Sequence, residues 1–283
     1  MSVYEINGTS LQSVYGVSGE LLSSAYDIDG EAVFPDGPIV NAFTVMTFNV
    51  QQFSGVNSDQ TLLSNIYSAY EPDIIGIQEL SYNGRVPSAG QSFLSPYQYY
   101  SIGSQYNKTG FFSTIQITDS TFYYYDGESG LSQPYGYQKC YFEYNDKTIC
   151  WVNAHLRTSS QETKKVAEAA EIFNAVQNET HFIITGDFNT VCKSVNDTEY
   201  TTIMKQFIDA GYHSANCSNQ HGFINTWTDS STGNGTWYPT DHIITSSNIQ
   251  IISVVADQRK IAVASQTGQV IDHLPFIAEL VVN

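Results

Sequence analysis

Five short segments place a carboxylate, amide or imidazole beside an apolar run: FNV at 48–50, QE at 78–79, GDFN at 186–189, TDHII at 240–244 and IDHLP at 271–275. Runs such as IIGI and FIIT read as buried strands, so each polar group falls where a strand leaves its sheet. Oxygen donors gathered this way suit a hard divalent cation. Mg²⁺ takes only one or two protein carboxylates and completes its octahedron with water and substrate phosphate. Nothing has zinc spacing, since the four cysteines form no C-x-x-C and no H-E-x-x-H is present. Phosphoryl transfer also needs a base for water and donors for the non-bridging oxygens, and His273, His155, Asn49 and Asn189 are the right types.

Taken singly, each segment has a bland explanation. Asp241-His242 or Asp272-His273 alone is an ordinary strand-end turn, and GDFN alone is a turn in which Asp and Asn tolerate unusual backbone angles. His181, His213 and His221 have no motif around them and read as structural or surface residues, and His242 reads as a strand residue beside Asp241. Together the segments are harder to dismiss, because a purely structural protein has little reason to place acids and histidines on successive core strands.

The ordered set TFNV, DIIGIQE, NAHL, FIITGDFN, TDHIIT and IDHLPFIAEL runs from residue 47 to 280 and resembles the DNase I-like superfamily of endonucleases, exonucleases and phosphatases. The resemblance implies Glu79 as the principal ligand of Mg²⁺ (or Mn²⁺), with Asp272 completing the carboxylate set and Asn49 supporting the metal or the phosphate. It implies His273 as general base, oriented by Asp241. Asp187 and Asn189 would position the nucleophile and scissile phosphate or assist the leaving oxygen, His155 would donate to the phosphate, and Arg157 would add charge. It also implies metal-dependent phosphodiester hydrolysis, with DNase I-like endonuclease action first. A phospholipid or inositol-phosphate phosphodiesterase or phosphatase is the alternative, and a catalytically inactive binding module is the third reading.

Three departures refine that expectation. DNase-type members pair the middle histidine with a glutamate near 104–112, whereas SQYNKTGFF has no acid, so His155 is expected either to be less basic or to find Asp119, Asp126, Glu128 or a carbonyl instead. Leu80 follows Glu79 where abasic-site nucleases carry a lysine soon after, which disfavours that branch. WYPTDH at 237–242 does not match the inositol-polyphosphate phosphatase signature.

The elements that must hold these residues are mostly strands. Runs at 43–50, 73–78, 111–117, 121–125, 137–144, 148–154, 181–185, 237–245, 249–255 and 274–282 have strand character, while helical spacing appears at 58–70, 160–178 and 199–210. With 283 residues and 41% hydrophobic content the chain can bury one large core. The fold class expected is α+β: a four-layer α/β/β/α sandwich of two packed mixed sheets with outer helices, as the resemblance also implies.

A net charge of −17 with only eleven Lys and Arg argues for weak, salt-sensitive binding of a nucleic-acid substrate. Arg85, Lys108, Arg157, Lys164 and Lys165 are the contacts expected, with Tyr82, Tyr97, Tyr99, Tyr100, Tyr106 and Trp237 available for stacking; FYYY at 122–125 is the one stretch suited to a membrane surface. Cys140 and Cys150 flank a hairpin turn near Asn145-Asp146, and Cys192 and Cys217 could clip the loop after GDFN; register decides whether either pair can bond. No signal-peptide pattern or transmembrane segment is visible, and the composition suggests an extracellular or prophage- and virion-associated protein.

Residues 1–40 read as a separate segment ahead of a catalytic domain at 41–283. YEINGTSLQSV (4–14), YGVSGELLSSA (15–25) and YDIDGEAVFPD (26–36) align without gaps as three eleven-residue repeats, each carrying a Gly turn. One copy cannot bury its own apolar face, so 4–36 is expected to act as a linker or attachment stalk, through homo-oligomer or assembly contacts. It resembles, weakly, the β-rich linkers that precede catalytic modules on prophage tail proteins.

Overall fold

The structure is a computed structural model, and it describes residues 42–51, 68–80, 94–103, 109–127, 129, 135–158, 162–191, 193–228, 236–257 and 272–283. The repeats at 4–36, most of the 58–70 helix, Arg85, Lys108 and Cys192 lie outside the described residues. Two six-stranded mixed sheets form the frame. The first is built from β1 (Ala42–Asn49), β2 (Ile74–Gln78), β3 (Tyr99–Ile102), β4 (Gly110–Ser113), β13 (Ile249–Ala256) and β14 (Phe276–Val282), in the order β13-β14-β1-β2-β4-β3. The second contains β5 (Ile117–Tyr124), β6 (Gly136–Tyr144), β7 (Lys147–His155), β8 (Phe182–Asp187), β9 (His213–Ser214) and β12 (Asp241–Thr245), in the order β5-β6-β7-β8-β12-β9. A two-residue ribbon, β10 (Trp227–Thr228) with β11 (Trp237–Tyr238), stands apart.

Alternating side chains divide the apolar content into layers. Phe43, Val45, Ile74 and Phe111 of the first sheet pack with Phe142, Trp151, Ile183 and Ile243 of the second, forming the core between the sheets. On the outer face of the second sheet, Val152, Ala154, Phe182 and Ile184 meet Ala169, Ile172 and Val176 of helix α1 (Glu162–Val176) and Phe207 of helix α2 (Lys205–Asp209). A π-turn at Tyr200–Met204 leads directly into α2. On the outer face of the first sheet, Met46, Phe48, Ile75 and Ile77 pack with Leu94, Tyr97 and Tyr70.

The differences from the expected elements have local causes. The run at 237–245 splits at Pro239, which cannot continue the ladder, so Asp241 starts a new strand and does not sit in the middle of one. Cys140 pairs with Trp151 and Cys150 with Tyr141, a one-residue offset. That offset turns Cys140 into the core between the sheets and Cys150 toward α1, so the two thiols cannot bond. Both are buried and remain thiols. Burial pushes the Cys150 thiol up to about 12.

A buried polar network ties the sheets together beneath the strand ends. Gln78 Nε2 donates to Asn153 Oδ1 at 2.7 Å and to Thr47 Oγ1 at 3.1 Å. Asn153 Nδ2 donates to the carbonyls of Ile77 at 2.9 Å and Gly110 at 3.0 Å, crossing from the second sheet to the first. Thr185 Oγ1 donates to Asn153 Oδ1 at 3.2 Å and accepts from Trp151 Nε1 at 3.0 Å. Such a network fixes the relative register of two sheets that apolar packing alone would leave free to slide.

Candidate active site

The parallel pairings bring the functional residues to one edge. β1 and β2 run parallel and finish together, with Asn49 opposite Gln78 and Glu79 the next residue. In the second sheet His155 of β7 lies opposite Asp187 of β8, and Asp187 lies opposite Asp241, the first residue of β12. One row across three strands thus presents an imidazole and two carboxylates. Glu79 and Asn189 take left-handed backbone angles, φ 52° and 51°, which turn the chain sharply as it leaves the sheet. Asn accepts this conformation readily; Glu does so at some cost, and strain of this kind gathers at functional sites. Gly186 is required for a different reason, because a Cβ there would lie 2.5 Å from the Ala154 carbonyl oxygen.

Asn49 links the two sheets within the site. Its Nδ2 donates to Glu79 Oε1 at 3.2 Å and to Asp187 Oδ2 at 3.0 Å, while its Oδ1 accepts from the Gln51 amide at 3.0 Å. His155 Nε2 lies 3.8 Å from Glu79 Oε1 and 3.6 Å from Asp187 Oδ2. His273 Nδ1 sits 2.8 Å from Asp241 Oδ2, and its Nε2 points back to Asp187 Oδ2 at 3.5 Å. Thr240 Oγ1 donates to the same Asp241 oxygen at 3.0 Å. Asp187 Oδ1 accepts the Asn189 amide at 2.8 Å, and Asn189 Nδ2 reaches the Leu156 carbonyl at 2.8 Å. The loops that follow β7 and β8 are thereby tied to each other.

The electrostatics follow from burying these groups together. Burial alone would lower His273, but the charges of Asp241 and Asp187 and the bond to Asp241 more than offset it, lifting the imidazole to about 9. Burial raises the Asp187 carboxyl, and the neighbouring Asp241 charge adds to this, against the opposing pull of His273, His155 and Asn49. Asp187, Asp241 and His273 can each offer a ligand atom within 4.8 Å of the others. Asp241 Oδ2 and His273 Nδ1 are already committed to each other, so this trio reads first as a hydrogen-bonded dyad facing a carboxylate. The donor set that fits a small hard cation is Glu79 with Asp187: two carboxylates on different sheets, held close by one amide, with the Glu79 side chain 22% exposed.

A family model described as the Endonuclease/Exonuclease/phosphatase family matches residues 46–260. The chain belongs to this family. Among solved structures, an endonuclease/exonuclease/phosphatase from Bacteroides vulgatus superposes with TM-score 0.65 at 17% identity, covering 86% of this chain and 99% of that one. TDP2 from D. rerio, crystallised with a single-strand DNA product, gives 0.64 at 14% identity over 84% and 98% of the two chains. The human Nocturnin catalytic domain with bound sulfate gives 0.63 at 17% identity over 86% and 94%. At these identities the likeness establishes the DNase I-like fold alone. No curated protein matches the chain significantly.

Within this endonuclease/exonuclease/phosphatase frame, Asn49, Glu79, His155, Asp187, Asn189, Asp241 and His273 lie together at the strand ends. Asp272 does not join the Glu79 group through any contact seen here; it accepts from Trp227 Nε1 at 3.0 Å. His155 does not pair with Asp119 or Asp126, and Glu128 lies outside the described residues. Its Nδ1 is buried with no hydrogen-bond partner among the described residues, and its ring lies 5.9 Å from that of Tyr135. Arg157, expected at the phosphate, is buried: its Nε donates to Glu168 Oε1 at 2.6 Å, and its guanidinium covers Tyr135 at 4.7 Å. Lys165, expected on the nucleic-acid surface, is fully buried against Glu199 at 2.5 Å. Tyr97 is a core residue whose hydroxyl donates to the Pro72 carbonyl at 2.9 Å, whereas Tyr100 is exposed and stacks on Phe112.

Sequence reasoning missed Tyr135, Trp227, Glu168 and Glu199. Of these Glu168 had a readable signal: Lys165, Glu168, Ala169, Ile172 and Val176 form one i, i+3, i+4 stripe, so Lys165 and Glu168 share the apolar face of α1.

His242 supplies a stability prediction. Thr190 Oγ1 donates to the Pro239 carbonyl at 2.6 Å, so His242 Nε2, 2.8 Å away, is the protonated nitrogen donating to Thr190. Its Nδ1 is buried without a partner among the described residues. Burial lowers this imidazole to about 4, the Asp241 charge opposing only in part. The unfolded chain takes up a proton below pH 6.5 that the folded chain refuses, so this group's contribution is intact above pH 6.5 and is lost as pH falls toward 4, by about 3 kcal/mol in all. His273 has the opposite sign: its contribution is full below pH 6.5 and is lost as pH rises through about 9. Urea unfolding between pH 4.5 and 9 should therefore show a maximum near pH 6.5, and His242→Met should flatten the acid limb only.

Proposed function

We propose that the protein is a divalent-metal-dependent phosphodiesterase that cuts DNA internally. The observation that carries this reading is the line Asp241–His273–Asp187, with Glu79 brought to Asp187 by Asn49. Asp241 on Nδ1 fixes the tautomer, so that Nε2 of the neutral ring, whose share grows as pH rises toward about 9, takes a proton from a water that attacks phosphorus. Asn189, held by Asp187 and Leu156, and His155 would donate to the non-bridging oxygens. Mg²⁺ or Mn²⁺ held by Glu79 and Asp187 would spread the negative charge that develops on the phosphate. D. rerio TDP2, of the same fold, is complexed with a single-strand DNA product, which supports DNA as the substrate class.

Supercoiled-plasmid nicking with Mg²⁺, Mn²⁺ or EDTA tests the proposal, with phospholipid head-group and inositol-phosphate release run beside it. Metal-dependent nicking supports DNA as substrate; head-group or phosphate release without nicking moves the protein to the other branch. The cations suit weak binding. Arg157 and Lys165 are spent on buried carboxylates, and Lys139 and Lys205 on Glu179 and Asp209. Two of the five expected contacts are thereby removed, so the salt dependence should be shallower than the sequence suggests. We read residues 1–40 as an attachment segment, and deleting them should leave nicking unchanged.

A further inference from the structure

We infer that Lys165 and Glu199 form a positioning clamp for the phosphate-handling loop after β8, an inference that rests on the phosphodiesterase reading. Lys165 rises from α1 with its side chain wholly buried, and its ammonium donates to the Asn189 carbonyl at 2.8 Å and to Glu199 Oε1 at 2.5 Å. The other Glu199 oxygen accepts the Val191 amide, and Glu199 itself stands at the entry to the π-turn. One buried ion pair therefore grips both the carbonyl of Asn189 and the amide two residues on. From the opposite side Asn189 is held by its amide on Asp187 and its Nδ2 on Leu156. The Asn189 carbonyl and side-chain amide are thus directed by partners outside its own turn, and its backbone amide by Asp187 within it.

Stability alone is a poor reason for this pair. Desolvating an ammonium and a carboxylate costs several kcal/mol that their attraction only roughly returns, and apolar replacements of such pairs are often neutral or stabilising. What an apolar pair cannot supply is a fixed charge against the Asn189 peptide. Asn189 sits at φ 51°, and two groups in the clamp hold its loop in that conformation. Preorganised donors contribute most when their supports are themselves locked, and an ångström of slack costs on the order of a hundredfold in rate.

The test replaces the pair as a unit, Lys165→Met with Glu199→Met, so that no lone buried charge remains. The double variant should keep its unfolding midpoint, lose about 30-fold or more in kcat on plasmid DNA, and change KM less than about threefold. In an Asn189→Ala background the same replacement should cost nothing further, a non-additivity that a merely structural role would not produce. A folded double variant with kcat within threefold of wild type, or one whose loss multiplies with that of Asn189→Ala, overturns the clamp. Wild-type protein silent on every phosphoester would overturn the phosphodiesterase reading instead. Amide hydrogen exchange at Thr190 and Val191 then decides the clamp: at least tenfold faster in the double variant supports it, and unchanged exchange removes it.

Discussion

His273→Ala should lower kcat for phosphodiester cleavage by about 10³-fold, with KM changing little, because it deletes an imidazole whose far nitrogen is fixed by a buried carboxylate. Asp241→Asn is the sharper test of how the pair works. An amide whose nitrogen faces Nδ1 would place the imidazole proton on Nε2, disabling the atom that must accept from water, and the expected loss is again of the order of 10³-fold. The Asp241 charge is also the leading cause that raises the imidazole, so the titration of His273 should move down from about 9 in this variant. A proton NMR titration of the ring would follow that shift independently of turnover. Retained activity in either variant would mean that water is activated elsewhere. Glu79→Ala should also fail, but its defect should be relieved in part by raised Mg²⁺ or Mn²⁺, which separates a metal-holding role from a proton-transfer role.

The sheet frame and most of the site were legible because both rest on local patterns. A strand buried on both faces is nearly continuous in apolar residues, so the polar residue that ends IIGIQE or FIITGD stands out in the sequence. What was not legible is what the charged residues behind those ends do. Arg157 and Lys165 look like surface cations in a list of eleven, yet each is buried on a carboxylate from another part of the chain. Lys165 and Glu199 are thirty-four residues apart, and only the packing of α1 against the loop after β8 makes them partners. Asp272 illustrates the same limit: its neighbour His273 reaches the site, while its own carboxylate turns to Trp227, which no short-range pattern links to it. The Cys140–Cys150 hairpin failed on register, since a shift of one residue sends two facing side chains to opposite layers.

Gly76→Ala should be strongly destabilising, at roughly 4 kcal/mol. Gly76 lies in β2, facing the network between the sheets, and a Cβ there would meet Thr185 Oγ1 at 2.1 Å, Thr185 Cβ at 2.7 Å and Asn153 Oδ1 at 2.8 Å. Overpacking alone costs about 1–3 kcal/mol. Here the clash falls on hydrogen-bonding atoms, so relief requires breaking the bonds of Thr185 to Asn153 and Trp151 or of Asn153 to Gln78, which leaves buried polar groups unsatisfied. The network also spans the sheets directly below Asn49 and His155, so the surviving folded fraction should lose activity as well. The cause can be isolated with Thr185→Gly, which removes the two nearest obstructing atoms at its own cost in a central strand. If the clash dominates, the double variant Gly76→Ala/Thr185→Gly should be more stable than the sum of the two single losses predicts by at least about 1 kcal/mol. Urea midpoints at constant m-value measure it. Simple additivity would mean that the strand tolerates a methyl at 76, and that the two sheets are positioned by apolar packing and not by the Gln78–Asn153–Thr185 network.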